Sequence, residues 1–290
     1  MDLELEVVVG RGAAVGEGPR WDAGRGRLIW VDILSRLVHF YDPKTKDDVG
    51  IDVGDFVGIA IPRRAGGLVL ALGNGFALMT EEGDVEPVAT FPQGEIAVRM
   101  NDGNCDSAGR FWAGTMGLNE EPGAGALYRL DPDLSVTKVL DAVTVSNGID
   151  WSLDDSLMYY VDSDTFCVDV FDFDPGAGAI SNRRAFVSVS AADGLPDGLT
   201  VDSEGYVWVA FWGGSCVRRY APGGSLDLVV SLPTRHVTSC AFGGADLDEL
   251  YITSATEGLT EADLAQEPHA GALFRCKPGV VGRPERVFLG

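Results

Sequence analysis

Apolar residues along the chain come in short runs that alternate with polar positions or consist of β-branched and aromatic types. Examples are Leu28-Ile29-Trp30-Val31, Leu68-Val69-Leu70-Ala71-Leu72, Val207-Trp208-Val209-Ala210 and Leu250-Tyr251-Ile252. Each run has the length of a strand, Gly, Pro and Asp separate the runs, and no long i, i+3, i+4 stripe competes with them. The pattern predicts an all-β chain without helix.

The strands recur at a fixed period. A turn-like stretch followed some ten residues later by an aromatic or aliphatic strand appears at Glu17-Gly-Pro-Arg-Trp-Asp22…Trp30, Val57-Gly-Ile-Ala-Ile-Pro62…Leu70, Asn101-Asp-Gly-Asn-Cys-Asp106…Trp112, Asn147-Gly-Ile-Asp-Trp-Ser152…Tyr160, Asp197-Gly-Leu-Thr-Val-Asp202…Trp208 and Ser239-Cys-Ala-Phe-Gly-Gly244…Tyr251. The first residues of these six copies are spaced 40, 44, 46, 50 and 42 residues apart, the length of a four-stranded propeller blade. Two further strand-like runs follow each copy, for example Ala126–Leu130 then Val136–Leu140, and Cys216–Tyr220 then Leu226–Val230. The expected fold is a six-bladed β-propeller with four-stranded blades around a central channel. With no linker or low-complexity segment, residues 1–290 are expected to form one domain.

The first strand of every blade lines the channel, so equivalent residues at its start form a ring at one mouth. That register holds Glu17, Val57, Asn101, Asn147, Asp197 and Ser239. Glu17, Asn147 and Asp197 bring three oxygen donors and two negative charges, a partial shell for a hard divalent cation. Asn147-Gly148 and Asp197-Gly198 are also strong turn signals, and each alone is more often a turn than a ligand. Glu17 at the same register has no turn propensity, which favours the cation site. Arg99 and Asn101 flank Met100 and so point to the same side. Arg99 is equally readable as a ligand-holding group or as a surface arginine paired with an acid.

Charge and cysteine usage narrow the partners. Against 22 Lys+Arg stand 44 Asp+Glu, a formal net charge of −22. Such a field repels phosphate backbones and anionic lipid headgroups, which argues against nucleic acid and membrane surfaces. It leaves divalent cations and small molecules. The five cysteines are scattered, without a C-x-x-C, which argues against a disulfide framework and for a reducing compartment. Met1-Asp2-Leu3-Glu4 lacks the basic-then-apolar order of a signal peptide. A soluble cytoplasmic protein, monomeric or weakly homo-oligomeric, is expected.

Trp30, Trp112 and Trp208 share one strand position and read as packing between blades, whereas Trp151 and Trp212 are placed nearer the rim as candidate pocket walls. His39, His236 and His269 share no motif and read as structural. No His-Glu-x-x-His, Gly-x-Ser-x-Gly or phosphate-loop pattern is present, and Asp162-Ser-Asp164 lacks the glycine and downstream Glu of an EF-hand, which removes support for serine hydrolase, nucleotide and EF-hand readings.

The motifs resemble the regucalcin/gluconolactonase (senescence marker protein) family of sugar lactonases along nearly the whole chain. They include Gly16-Glu17-Gly18-Pro19…Trp21, Val31-Asp32-Ile33, Arg99-Met-Asn101-Asp102-Gly103, Asp106-Ser-Ala-Gly109-Arg110, Ala113-Gly114-Thr115-Met116, Ser146-Asn147-Gly148-Ile-Asp150-Trp151-Ser152, Pro196-Asp197-Gly198, Asp202-Ser-Glu-Gly205 and Cys240-Ala-Phe242-Gly243-Gly244. The resemblance implies a six-bladed propeller with one divalent metal at the channel mouth and hydrolysis of sugar (aldono-) lactones such as gluconolactone. It assigns Glu17, Asn147 and Asp197 as metal ligands, and Arg99 and Asn101 as substrate contacts. A further family glutamate in the loop after Gly-Thr-Met counts onto Asn119, and a shift of one or two residues makes it Glu120 or Glu121.

An all-oxygen set points first to Ca2+, with Zn2+, Mn2+, Mg2+ and Fe2+ as alternatives. The cation supplies Lewis acidity, and Asp197, a carboxylate able to touch both cation and water, is the expected general base. Two other functions fit the same residues: a calcium-binding regulatory protein without turnover, and a propeller hydrolase of phosphoester or organophosphate substrates. Leu3–Val9 has no other blade to join and is expected to supply the outer strand of blade six. Glu285–Leu289 competes for the same edge.

Overall fold

The computed structural model describes residues 3–10, 12–91 and 94–290. Its strands form six four-stranded antiparallel sheets, arranged as the six-bladed β-propeller that the repeat implies. The innermost strands are Gly16–Asp22, Val57–Pro62, Val98–Cys105, Ser146–Trp151, Leu195–Val201 and Val237–Gly243. These pack side by side around the axis. All run in the same direction, so their first residues gather at one mouth of the channel and their last residues at the other.

Every innermost strand carries a register shift near its start. The breaks fall between Glu17 and Arg20, Val57 and Ile59, Met100 and Gly103, Ser146 and Ile149, Pro196 and Leu199, and Val237 and Ser239. The Asn147-Gly148 and Asp197-Gly198 pairs are therefore β-bulges inside strands, not turns between them. Glycine is required here by the next blade. A Cβ on Gly58 would sit 1.8 Å from the Asn101 carbonyl oxygen, and one on Gly198 would sit 2.1 Å from Ser239 Oγ. A bulge re-aims side chains, and here it turns the neighbouring polar residue toward the axis.

The core is divided into six clusters, each at an interface between neighbouring blades. Trp112, Ile149 and Trp151 fill the interface of blades three and four, for example, and Trp208, Phe242 and Ile252 that of blades five and six. Trp30, Trp112 and Trp208 are buried, and their indole N–H groups donate to Asp48, Asp106 and Asp202, each at 2.9 Å. This satisfies the polar handle that burial would otherwise leave unpaired. Trp151 departs from expectation. It is fully buried between blades three and four at the far end of its strand, because its side chain alternates away from the channel. His39 is buried, stacked on Trp30, and shares a 2.8 Å hydrogen bond with Asp48.

The ring closes through the amino-terminal segment. Glu6–Val9 pairs antiparallel with Leu273–Cys276 as the outer strand of blade six, in register Glu6↔Arg275 and Val7↔Phe274. Leu3, Leu5 and Val7 pack onto the blade-six core. The carboxy-terminal segment takes another path. Ser203 N donates to Val281 O, Leu289 N to Gly109 O, and Phe288 N to Pro62 O. It thus crosses the channel mouth at the ends of the innermost strands, where Arg283 pairs with Asp150.

Contrary to the all-strand expectation, a short helix, Glu261–Gln266, interrupts blade six. Thr260 and Asp263 cap it reciprocally, and Arg235 anchors it through Asp263 and Glu267. Among the described residues no helix is long and apolar enough to cross a membrane. All five cysteines are free thiols.

Candidate active site

Four of the ring positions, Glu17, Asn101, Asn147 and Asp197, open onto one cavity of about 380 Å³ at the mouth where the innermost strands begin. The other two do not. Val57 belongs to the core between blades one and two, and Phe56 lines the cavity in that blade's place. Ser239 is buried against Gly198. Arg99, Glu120, Ser163, Asp164, Trp212 and Glu257 complete the polar and aromatic lining, with Val15, Leu34, Met116, Leu118, Val145 and Leu195 between them.

A directed chain of hydrogen bonds orders the floor. Arg99 Nη1 donates to Asn101 Oδ1 at 2.6 Å. Asn101 Nδ2 donates to Ser146 O at 2.8 Å and to Asn147 Oδ1 at 3.2 Å. Asn147 Nδ2 donates to Ser163 Oγ at 2.8 Å, and Ser163 Oγ donates on to Pro196 O at 2.7 Å. With its N–H₂ committed to Ser163, Asn147 turns its oxygen inward. Asp32 and Asp162 brace the rim alike. Their carboxylates accept from Ala14 N and Val15 N, and from Thr144 N and Val145 N.

Two buried carboxylates share this floor with little positive charge. Burial, reinforced by the charge of Asp102, raises the Glu17 carboxyl to about 8. Burial, then the charges of Glu17 and Asp102, push Asp197 well above the usual carboxylate range. The Arg99 guanidinium is lowered to about 10, with burial as the main cause and the facing acids opposing it. Asp197 Oδ1 is buried and has no hydrogen-bond partner among the described residues. An orphaned carboxylate oxygen beside a second buried carboxylate and an inward-turned carboxamide oxygen fits a hard divalent cation. Among the described residues no group of three His, Cys, Asp or Glu forms a metal cluster. A donor set at this floor would therefore include the amide oxygen of Asn147.

The loop after Thr115-Met116 separates the two glutamates. Glu120, held in a left-handed conformation with φ 57°, lines the cavity. Glu121 folds back instead, its carboxylate accepting from Asn119 N at 3.2 Å and Asn119 Nδ2 at 2.9 Å over the bare backbone of Gly117. Trp212 does wall the cavity, stacked on His236 with ring centroids 4.0 Å apart. Ser163, Asp164 and Glu257 have no counterpart in the ring register. Ser163–Thr165 forms a single 3₁₀ turn after Leu157–Asp162, the second strand of blade four, and Ser163 matters here through the hydrogen bonds it makes.

The fold and cavity define a six-bladed propeller with an acidic, oxygen-rich site at one channel mouth. Residues 15–256 match the family described as SMP-30/Gluconolactonase/LRE-like region. The chain is 41% identical over 280 residues, 96% of each chain, to the Bacillus subtilis (strain 168) protein YvrE, whose name groups it with sugar lactone lactonases. It is 40% identical to regucalcin of Danio rerio over 293 residues, 99% of each chain. Among solved structures, a luciferin-regenerating enzyme superposes with a TM-score of 0.93 at 32% identity, covering 99% of this chain and 100% of that one. A calcium-binding regucalcin from Agrobacterium tumefaciens superposes with a TM-score of 0.94 at 27% identity, covering 99% and 98%. The chain belongs to the SMP-30/gluconolactonase family.

Proposed function

We propose that the protein opens sugar lactones, gluconolactone among them, to the aldonic acid with the help of one divalent cation. Membership of the family makes it a lactone hydrolase. The observation that carries the cation is the orphaned Asp197 Oδ1 beside Glu17 and Asn147. Bound there, the cation would supply Lewis acidity toward the lactone carbonyl, with Ca2+ the first candidate for an all-oxygen donor set.

The chain's own residues do the rest. Arg99 and Glu120 reach into the cavity from the same blade and hold the ring hydroxyls, aligning the carbonyl over the floor. Asn101, fixed between Arg99 and Asn147, keeps both in register. Asp197 takes a proton from the attacking water as its oxygen bonds to the carbonyl carbon. The ring C–O bond then breaks, and that proton passes to the departing ring oxygen, giving the open hydroxy acid.

Metal-stripped protein, restored with Ca2+, Mg2+, Mn2+, Fe2+ or Zn2+ and assayed against aldonolactones with a pH indicator, tests this. Hydrolysis is expected only after restoration. Undiminished hydrolysis in protein of verified zero metal content overturns the cation's role. Tight cation binding with hydrolysis at background leaves a binding protein instead.

A further inference from the structure

The cavity is two-toned. Its floor is polar, and beside the carboxylates Glu120, Asp164 and Glu257 large apolar side chains line the rest of it: Leu34, Phe56, Leu118, Leu195 and Trp212. They come from separate places, the turn inside blade one, the connection into blade two, the loop of blade three, and the two facing ends of blade-five strands. Leu118 is 49% exposed. Trp212 is stacked on His236 with ring centroids 4.0 Å apart. A ring bearing a hydroxyl on every carbon gains from the floor, where Arg99 and Glu120 offer partners, but loses hydration without compensation against this collar. An apolar substituent has the opposite balance.

We propose that the collar makes the protein a hydrolase of alkyl-substituted lactones as well as sugar lactones, with the lactone ring on the polar floor and the alkyl chain against Leu34, Phe56, Leu118, Leu195 and Trp212. This rests on the lactonase reading above and names a second substrate class for the same site. The bond changes are the same: water adds to the carbonyl carbon, the ring C–O bond breaks, and the ring oxygen leaves with the proton as the hydroxyl of a hydroxy acid. Burying a methylene contributes ~0.8 kcal/mol, about fourfold in kcat/KM.

The test measures kcat/KM of the metal-restored protein on δ-hexalactone, δ-octalactone and δ-decalactone, with gluconolactone in parallel. Expected is a rise of at least severalfold for each added pair of methylenes until the collar is filled. In Leu118→Asn, a change at an exposed loop position, the ratio of kcat/KM for δ-decalactone to that for gluconolactone should fall. Binding of the matching 6-alkyl-piperidin-2-ones, which the enzyme need not hydrolyse, should tighten with chain length in calorimetry. Gluconolactone turnover with a flat or falling chain-length series overturns the collar alone. No turnover of any lactone, with lactam affinity still rising, overturns the lactonase reading and retains the collar. Lactam affinity independent of chain length, or a series unchanged in Leu118→Asn, overturns the collar.

Discussion

Asn147 Nδ2 donates to Ser163 Oγ at 2.8 Å, and together with the bond that Asn147 Oδ1 accepts from Asn101 Nδ2 it fixes which way the carboxamide faces. Ser163 is itself anchored by donating to the Pro196 carbonyl, next to Asp197. The serine thus links two of the three candidate cation ligands without being one of them.

Removing that hydroxyl leaves the amide held only through the 3.2 Å bond from Asn101 Nδ2. Ser163→Ala is expected to weaken divalent-cation affinity by about 10–100-fold, the usual cost of losing a group that orients a ligand. Thermal stability should change far less, which calorimetric titration and melting curves would separate. Unchanged affinity would remove the orienting role.

Protonation of Glu17 gives a pH dependence with a definite sign. In the metal-free fold its carboxyl is raised to about 8 from an ordinary 4.5, chiefly by burial. The folded state then holds a proton that the unfolded chain has released, so the contribution of this group to stability falls as pH rises from about 4.5 to about 8. Metal-free protein should lose melting temperature across that window, and a divalent cation should restore more of it at pH 8 than at pH 5. A cation effect independent of pH would contradict the buried, proton-competing carboxylate.

Asp197→Asn keeps an oxygen donor and removes both a charge and the proposed base. It should lower kcat by about 10²–10⁴-fold, the usual contribution of a positioned base, while retaining weakened cation binding. Arg99→Ala should mainly raise KM. Normal turnover by the Asp197 variant with cation bound would move the base elsewhere.

Deleting residues 1–9 removes the strand that pairs with Leu273–Cys276 and exposes that edge. Losing the ladder and the buried Val9 should cost about 3 kcal/mol or more, lowering Tm by roughly 10 °C and weakening cation binding in parallel. Unchanged stability would mean that closure of the ring lies in the carboxy-terminal crossing.

Gly58 tests the close approach of neighbouring blades. Gly58→Ala would place a methyl 1.8 Å from the Asn101 carbonyl oxygen, so it should destabilise by at least about 1–3 kcal/mol. Asn101 would shift with it, raising KM more than the same change at Gly223, where nothing lies within 4 Å and the backbone is not left-handed. Equal effects at the two glycines would refute the blade contact.

The repeat made the propeller legible before any coordinates, because each blade must bury the same faces against its neighbours and therefore repeats the same apolar runs. Register then brought Glu17, Asn101, Asn147 and Asp197 to one mouth, since equivalent positions in a closed ring share an end. Strand alternation likewise put Arg99 beside Asn101. Other features depended on contacts that no local pattern encodes. The Asn-Gly and Asp-Gly pairs are turn signals in isolation, and only the crowding of the next blade makes them bulges. Glu120 and Glu121 are adjacent acids, and the hydrogen bonds of Asn119 turn one of them away from the cavity. Phe56 rather than Val57 reaches the mouth, and Trp212 rather than Trp151, because the pleat and the strand end decide which way a side chain points. Sequence periodicity determined the ring and its polar register. The loops at its mouth, brought together from separate blades, were decided by tertiary packing, because their spacing along the chain carries no trace of their distance in space.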